Sequence, residues 1–141
     1  MDAAELGRGR TDRIRLATNV RSLPLRAPAV LARSAASLDL LSGGRLDLTL
    51  GDSDGAFSDA ITAMGGHGEA VDALSEAIDV IRGVLDAGQP SRLTYTGEQY
   101  QLHGAERGPL PVHQIRIWLG GYTPDAEADR REGRRMARIA G

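Results

Sequence analysis

The sequence predicts an α/β domain built on parallel strands, with helices covering one face of the sheet. Short β-type segments alternate with longer helical segments, which is the pattern of βαβ units joined by right-handed crossovers. Each strand-like segment alternates apolar and polar residues, whereas strands covered by helices on both faces read as continuous apolar runs. The chain has 141 residues, 41% hydrophobic and 26% charged, which is the size and composition of one globular domain.

The first strand is predicted over residues 14–18, where Ile14, Leu16 and Thr18 share one face. The segment before it holds two glycines among charged residues. We therefore expect residues 1–12 to be poorly structured and the folded domain to begin at residue 13.

Two long helices are predicted from apolar stripes at helical spacing. The first, residues 28–41, opens on a proline suited to a first helical turn and ends at a pair of glycines. Its stripe consists of Leu31, Ala35 and Leu38. The second, residues 69–87, has acidic residues in its first turn and a glycine and a proline after it. Its stripe consists of Val71, Leu74, Ile78, Ile81 and Leu85.

The remaining elements follow from alternation and turn residues. Residues 45–50 alternate leucine with polar residues, and residues 115–119 alternate in the same way before two glycines. Residues 93–96 and 99–102, separated by Gly97 and Glu98, predict a small β-hairpin outside the main series. We also expect a short helical turn around 58–64 and a final charged helix over 124–139.

Three charged residues, Arg15, Asp47 and Arg116, fall on the polar faces of successive strands. If those strands are neighbours, the three side chains could form an ion-pair layer inside a barrel. They could equally face water on an uncovered sheet. Burial of Asp47 distinguishes the two arrangements.

The carboxyl ends of the strands are the expected ligand site, since α/β proteins of this kind bind ligands there. Those ends are residues 18–20, 51–53 and 120–122, and two of the three begin with glycine. The last of them precedes the final predicted helix, whose free N–H groups favour a phosphate. Tight turns after strands also use glycine and asparagine, so the pattern has a purely structural interpretation as well.

Composition excludes several function classes. A net charge of −2 and only five aromatic residues argue against nucleic-acid binding. The sequence has no cysteine and no lysine, which excludes disulfides, thiolate sites, Schiff-base lysines and P-loop lysines. No apolar run could span a membrane and no signal peptide is visible, so we expect a cytoplasmic protein. The acidic residues Asp52 and Asp54 lack the remaining calcium ligands, and the histidines have no metal-ligand spacing, so we predict no metal site and solvated histidines.

Several sequence motifs, taken in their order along the chain, resemble those of a known family. They are residues 16–28, 38–45, 48–51, 69–82, 96–100, 109–111 and 117–121, the last reading Ile-Trp-Leu-Gly-Gly. Together they resemble the bacterial luciferase-like monooxygenases, over nearly the whole chain from about residue 13. The resemblance implies a (β/α)₈ TIM barrel that uses FMN or the deazaflavin F420 in oxidation or hydride transfer on a small-molecule substrate.

The resemblance also implies a place for each segment. The strands would be the third, fourth and fifth of the barrel. Thr18, Asn19 and Val20 would face the isoalloxazine ring. Gly51, Asp52 and Ser53 would line its edge, and Gly120, Gly121, Tyr122 and Thr123 would meet the ribityl–phosphate arm.

A TIM barrel needs about 250 residues, so we expect residues 13–141 to form an incomplete barrel domain whose catalytic residues lie on other strands. Two hypotheses follow. The first is a flavin- or F420-dependent oxidoreductase or monooxygenase. The second is a non-catalytic, self-associating α/β remnant of the same fold. Open sheet edges favour pairing with another chain, so in either case we expect a homo-oligomer.

Overall fold

The structure is a computed structural model that describes residues 11–18, 21–51, 63, 71–86, 88 and 91–120. Its elements in chain order are β1 (Leu16–Ala17), β2 (Arg21–Ser22), a 3-10 helix (Leu23–Leu25), α1 (Pro28–Ser42), β3 (Leu46–Gly51), α2 (Val71–Leu85), β4 (Arg92–Thr96), β5 (Gln101–Glu106) and β6 (Arg116–Gly120). The short helical turn predicted around 58–64, apart from Ala63, lies outside the described residues. So does the final helix predicted over 124–139.

β3 is the centre of a parallel sheet. β6 pairs with it from residue 47 to residue 51. β6 therefore occupies one edge of β3, and β1 and β2 share the other edge. β1 pairs there with Leu46 and Asp47, and β2 pairs further along with Leu50 and Gly51. The predicted arrangement of three neighbouring segments that point the same way is confirmed.

The first predicted strand is shorter than its sequence pattern indicated. Between residues 14 and 22, strand pairing is confined to the two-residue strands β1 and β2. Ile14 is 63% exposed and does not share the buried face with Leu16. From Ala17 to Arg21 the chain advances four residues, while β3 advances three between their partners. This shift of one residue interrupts the ladder, and alternation alone does not reveal such an interruption.

α1 ends where the sequence predicted. Gly43 adopts a left-handed conformation with φ of 68°, and its N–H donates to the carbonyl of Leu40. The N–H of Gly44 donates to the carbonyl of Asp39. These bonds satisfy carbonyls that the helix end leaves unpaired, and glycine accepts positive φ without strain.

The core lies between β3 and the two helices. Leu46, Leu48 and Leu50 are each at most 1% exposed, and they pack with the buried faces of α1 and α2. Burying a leucine side chain contributes about 1.5–3 kcal/mol relative to leaving it exposed. Helices therefore cover the leucine face of the sheet, as the alternation predicted.

The excursion between α2 and β6 is an antiparallel hairpin of β4 and β5. Its second strand runs from residue 101 to residue 106, so the predicted end at residue 102 was wrong. Gly104, with φ of 65°, lies opposite a register shift between Leu93 and Tyr95. A glycine that looks like a strand breaker here marks a bulge within the strand.

A carboxylate on α2 anchors the tip of this hairpin. Glu76 accepts the backbone N–H groups of Glu98, Gln99 and Tyr100 at 2.8, 2.9 and 3.0 Å. Gly97 stands against the same carboxylate, and any Cβ there would overlap it. Desolvation raises the pKa of Glu76, but the three N–H donors outweigh it, so the pKa is lowered overall.

No helix in the described part of the chain combines the length and the apolar character needed to cross a bilayer.

We predict that Glu76→Gln loosens the hairpin tip. The amide group presents an NH₂ where the backbone donors need an acceptor, so the amide protons of residues 98–100 should exchange with solvent faster, as measured by NMR. In the wild type the folded pKa of Glu76 lies below its unfolded value. The anchor should therefore persist as pH falls through the ordinary glutamate range and be lost only below the folded pKa.

Glu98→Gln is the matched control, because this glutamate lies in the same turn and is exposed. Equal exchange in Glu76→Gln and in the wild type would contradict the anchoring role of the carboxylate.

Candidate functional site

The sheet has a polar face opposite the leucines. Residues paired in register share a face, so Asp47 lies beside Arg116, Thr49 beside Trp118 and Gly51 beside Gly120. From the amino to the carboxyl ends of the strands, this face presents charged residues, then Thr49 and Trp118, then a pair of glycines. We call these six residues, together with Arg15, the polar face.

Asp47 lies between two guanidinium groups in the first layer. Arg15 donates through Nε to Oδ2 at 2.9 Å and through Nη2 to Oδ1 at 2.6 Å. Arg116 donates through Nε to Oδ1 at 3.1 Å and through Nη2 to Oδ2 at 3.2 Å. Each arginine is bidentate, which is the strongest geometry for a guanidinium on a carboxylate.

Burial decides between the two arrangements that the sequence allowed. Asp47 is 6% exposed, so the residues form an ion-pair layer and the carboxylate does not face water. The hydrogen bonds from Arg15 lower the pKa of Asp47. Burial raises it, and Arg116 lowers it again, leaving the pKa below the ordinary value. The Arg15 and Arg116 side chains remain 41% and 54% exposed, so solvent still reaches both cations.

The ion-pair layer continues into a second buried carboxylate. Nη2 of Arg15 lies 3.2 Å from Nε2 of His113, and Nδ1 of that ring lies 3.1 Å from Oδ2 of Asp39. Asp39, fully buried on α1, also accepts the N–H groups of Leu46 at 3.3 Å and Val112 at 2.8 Å. It therefore ties α1 to the segments that lead into β3 and β6.

The prediction that His113 is simply solvated was wrong, since its side chain is 30% exposed and lies against Asp39. A signal for Asp39 was present in the sequence. It follows Leu31 and Ala35 at intervals of four residues on the buried side of α1. An acid at such a position needs partners, and here they come from backbone and histidine.

Thr18 satisfies the backbone where the first strand is interrupted. Its Oγ1 accepts the N–H of Thr49 at 2.9 Å and donates to the carbonyl of Thr49 at 3.2 Å. The hydroxyl thus replaces a neighbouring peptide group for one residue of β3. Thr18 is 8% exposed, and this role uses its hydroxyl hydrogen.

Three of the ten predicted site residues are described, and all three lie towards the carboxyl ends of the strands. Gly51 and Gly120 are register partners at the ends of β3 and β6, and Ser22 pairs with Gly51 from the other side. Thr18 lies one step earlier, beside Thr49. The other seven lie outside the described residues: Asn19, Val20, Asp52, Ser53, Gly121, Tyr122 and Thr123.

A cavity of about 850 Å³ lies along β6, between residues 111–118 and the last turn of α2. Its polar lining includes Arg82, Asp86, His113 and Arg116, and it does not include Thr18, Gly51 or Gly120. The cavity therefore lies at the amino half of β6, away from the predicted site. Ligands of parallel α/β folds bind at the carboxyl ends, so we keep the glycine pair as the candidate site.

The match to a protein family agrees with this geometry. Residues 8–130 match the family model of the luciferase-like monooxygenases. The chain belongs to this family.

Relatives among the luciferase-like proteins carry out different reactions. The 4-hydroxyprotoasukamycin monooxygenase of Streptomyces nodosus subsp. asukaensis is 36% identical over 97 residues, which cover 68% of this chain and 25% of that protein. The F420-dependent glucose-6-phosphate dehydrogenase of Kineococcus radiotolerans is 28% identical over 116 residues, which cover 82% of this chain and 34% of that protein. The chain thus spans about a third or less of the length of these relatives.

A solved structure of riboflavin lyase, with modified FMN and riboflavin, superposes with a TM-score of 0.69 at 20% identity. The match covers 86% of this chain and 32% of that one. It shows the fold. The described strands and helices belong to the α/β barrel architecture of luciferase-like proteins, as predicted.

We predict that Asp47→Asn destabilises the fold by roughly 2–3 kcal/mol, because two guanidinium groups lose their buried carboxylate while keeping access to water. Urea unfolding followed by circular dichroism measures this loss. The pKa of Asp47 is lower in the folded than in the unfolded state, so its contribution is complete above the unfolded value. It disappears as pH falls through the folded value.

The stability of Asp47→Asn should accordingly depend less on pH than that of the wild type in this acidic range. Asp79→Asn, at an exposed position of α2, is the matched control. A wild-type acid transition that Asp47→Asn leaves unaltered would count against the ion-pair layer.

We predict that Thr18→Val costs about 1–3 kcal/mol, because it leaves the N–H and carbonyl of Thr49 without the hydroxyl that satisfies them. Thr18→Ser keeps the hydroxyl and should recover most of the loss in the same urea titration. Equal stabilities for the valine and serine variants would show that the hydroxyl contributes nothing.

Proposed function

We propose that this chain forms a cofactor-binding part of a flavin- or F420-dependent oxidoreductase or monooxygenase. The observation that carries the proposal is the pairing of Gly51 with Gly120 at the carboxyl ends of two parallel strands. In barrels and other parallel α/β folds this is the end where ligands bind.

The residues present fit a planar ring system. Gly51 and Gly120 have no side chains, so the edge of a flat ring at Gly51 and the start of its ribityl arm at Gly120 can both approach the backbone closely. The relatives support this choice of ligand. One of them is named as F420-dependent, and the riboflavin lyase structure holds modified FMN.

The proposed binding set is the one that the family resemblance implies. Thr18, Asn19 and Val20 would lie behind the ring, and Gly51, Asp52 and Ser53 at its edge. The ribityl–phosphate arm would meet Gly120, Gly121, Tyr122 and Thr123. Because the hydroxyl of Thr18 is engaged with Thr49, Thr18 would meet the ring through its backbone.

The mechanism assigned to these residues is positioning. A bound reduced flavin or F420 would supply hydride transfer, and a flavin would also supply reaction with oxygen. The chain's own part is to hold the ring at the strand ends and to keep water from it. The ion pairs of Asp47 with Arg15 and Arg116 fix the register of the strands, and hence the pairing of Gly51 with Gly120.

Titration of the full chain with FMN and, separately, with F420, followed by cofactor fluorescence, tests the proposal. We expect saturable micromolar binding of one of the two. Gly120→Leu places a side chain on the polar face at the proposed contact and should weaken binding at least tenfold. Gly88→Ala is the matched control, since a methyl group there makes only ordinary contact with Asp86.

No binding of either cofactor up to millimolar concentration would overturn the proposal. A homo-oligomer in light scattering on the same samples would then favour the second candidate, a non-catalytic, self-associating domain of this fold. Among the described strands none pairs with the outer edge of β6, and an unpaired parallel edge favours association.

A further inference from the structure

An exposed indole occupies the middle of the polar face. Trp118 is 53% exposed, and it is the single tryptophan of the chain. Its register partner is Thr49, so it stands between the ion-pair layer and the paired glycines. A large aromatic side chain on this polar face, beside two arginines that solvent reaches, calls for a reason.

Packing of the hydrophobic core does not supply that reason. The neighbours of Trp118 in β6, Ile117 and Leu119, point to the opposite face and pack against the core there. The indole instead lies under a cation, with the guanidinium carbon of Arg116 at 5.8 Å from the ring centroid. Two hydrogen bonds to Asp47 hold the Arg116 guanidinium in place, so this cation stays over one face of the indole.

The indole also lines the cavity at the amino half of β6, and the next residue of the polar face beyond it along the strand is Gly120. Gly120 lies two residue steps beyond Trp118 on β6, a rise of about 6.6 Å. Gly51 and Gly120 place no side chain in that interval. A flat ring held at Gly51, with its arm leaving across Gly120, would therefore reach the indole without obstruction from a side chain of either glycine.

We propose that Trp118 is a contact residue for the planar ring of the bound cofactor, forming the aromatic floor on which that ring rests. This inference depends on the proposed function and adds a residue to it that the family resemblance did not assign. Contact between an aromatic side chain and a heteroaromatic ring depends on shape and polarisability, and it tolerates both flavin and deazaflavin.

The test is cofactor affinity in variants of the full chain. Trp118→Leu should raise the Kd of whichever of FMN and F420 the wild type binds by roughly tenfold, because the aromatic contact is lost. Trp118→Phe keeps an aromatic face and should stay within about threefold of the wild type. Leu110→Ala, at a residue 46% exposed in the connector before β6, is the control for removing an exposed apolar side chain.

A second measurement needs no substitution. Because Trp118 is the only tryptophan, acrylamide quenching of its emission lifetime reports the exposure of this one side chain. The bimolecular quenching constant should fall at least twofold when the cofactor saturates the site. This readout remains decisive even where Trp118→Leu fails to fold.

The outcomes separate the two proposals. If the wild type binds a cofactor, while Trp118→Leu binds equally well or acrylamide reaches the indole as before, the floor assignment is overturned and the proposed function stands. If the wild type binds neither FMN nor F420, the proposed function fails and this inference fails with it.

Discussion

A single buried carboxylate holds the neighbouring strands of this domain in a fixed register. Asp47 accepts two bidentate guanidinium forks, one from Arg15 just before β1 and one from Arg116 at the start of β6. A buried ion pair adds little net stability over a packed apolar one, but it strongly penalises any arrangement that leaves the charge unpaired. A slip of either outer strand would do so, and the layer therefore favours one register over its alternatives. The pairing of Gly51 with Gly120, four residues further on, is a consequence of that register.

Stabilising groups and the candidate binding surface lie at opposite ends of the same strands. Asp39, His113 and the Asp47 layer cluster at the amino ends, where they connect α1, β3 and β6. The glycine pair lies at the carboxyl ends. This division is typical of (β/α)₈ barrels, whose amino-terminal face carries stability and whose carboxyl-terminal face carries ligands. The family includes monooxygenases and an F420-dependent dehydrogenase. Such a family can vary the residues at the carboxyl ends of the strands while keeping the stabilising residues at the amino ends.

Local patterns predicted the main elements of the fold because each has a local cause. The alternating leucines of β3 and the stripe of α2 follow from periodicity, and the end of α1 follows from its two glycines. The end of β5 was missed because of a local bulge at Gly104, whereas the other two failures depended on contacts between distant residues. His113 looked solvated because its partner Asp39 is 74 positions away, and the interruption of the first strand depends on how Thr18 meets Thr49, 31 positions away. General rules of βα connection predicted that the strands run in parallel, and so placed Thr18, Gly51 and Gly120 at one end of the sheet. No such rule indicated that the hydroxyl of Thr18 would be hydrogen-bonded to the backbone of Thr49.

The contact of Glu76 with Gly97 constrains how this domain can vary. The carboxylate occupies the space that any side chain at position 97 would need, and it uses that space to accept three N–H groups of the hairpin tip. A side chain at position 97 is therefore compatible with the hairpin anchor only if the Glu76 side chain moves. Shortening residue 76 gives up the anchor without freeing position 97, because Cε1 of Tyr95 also lies 2.8 Å from a Cβ placed there. Two side chains, one on the helix and one on the hairpin, thus both favour glycine at this single position of the turn.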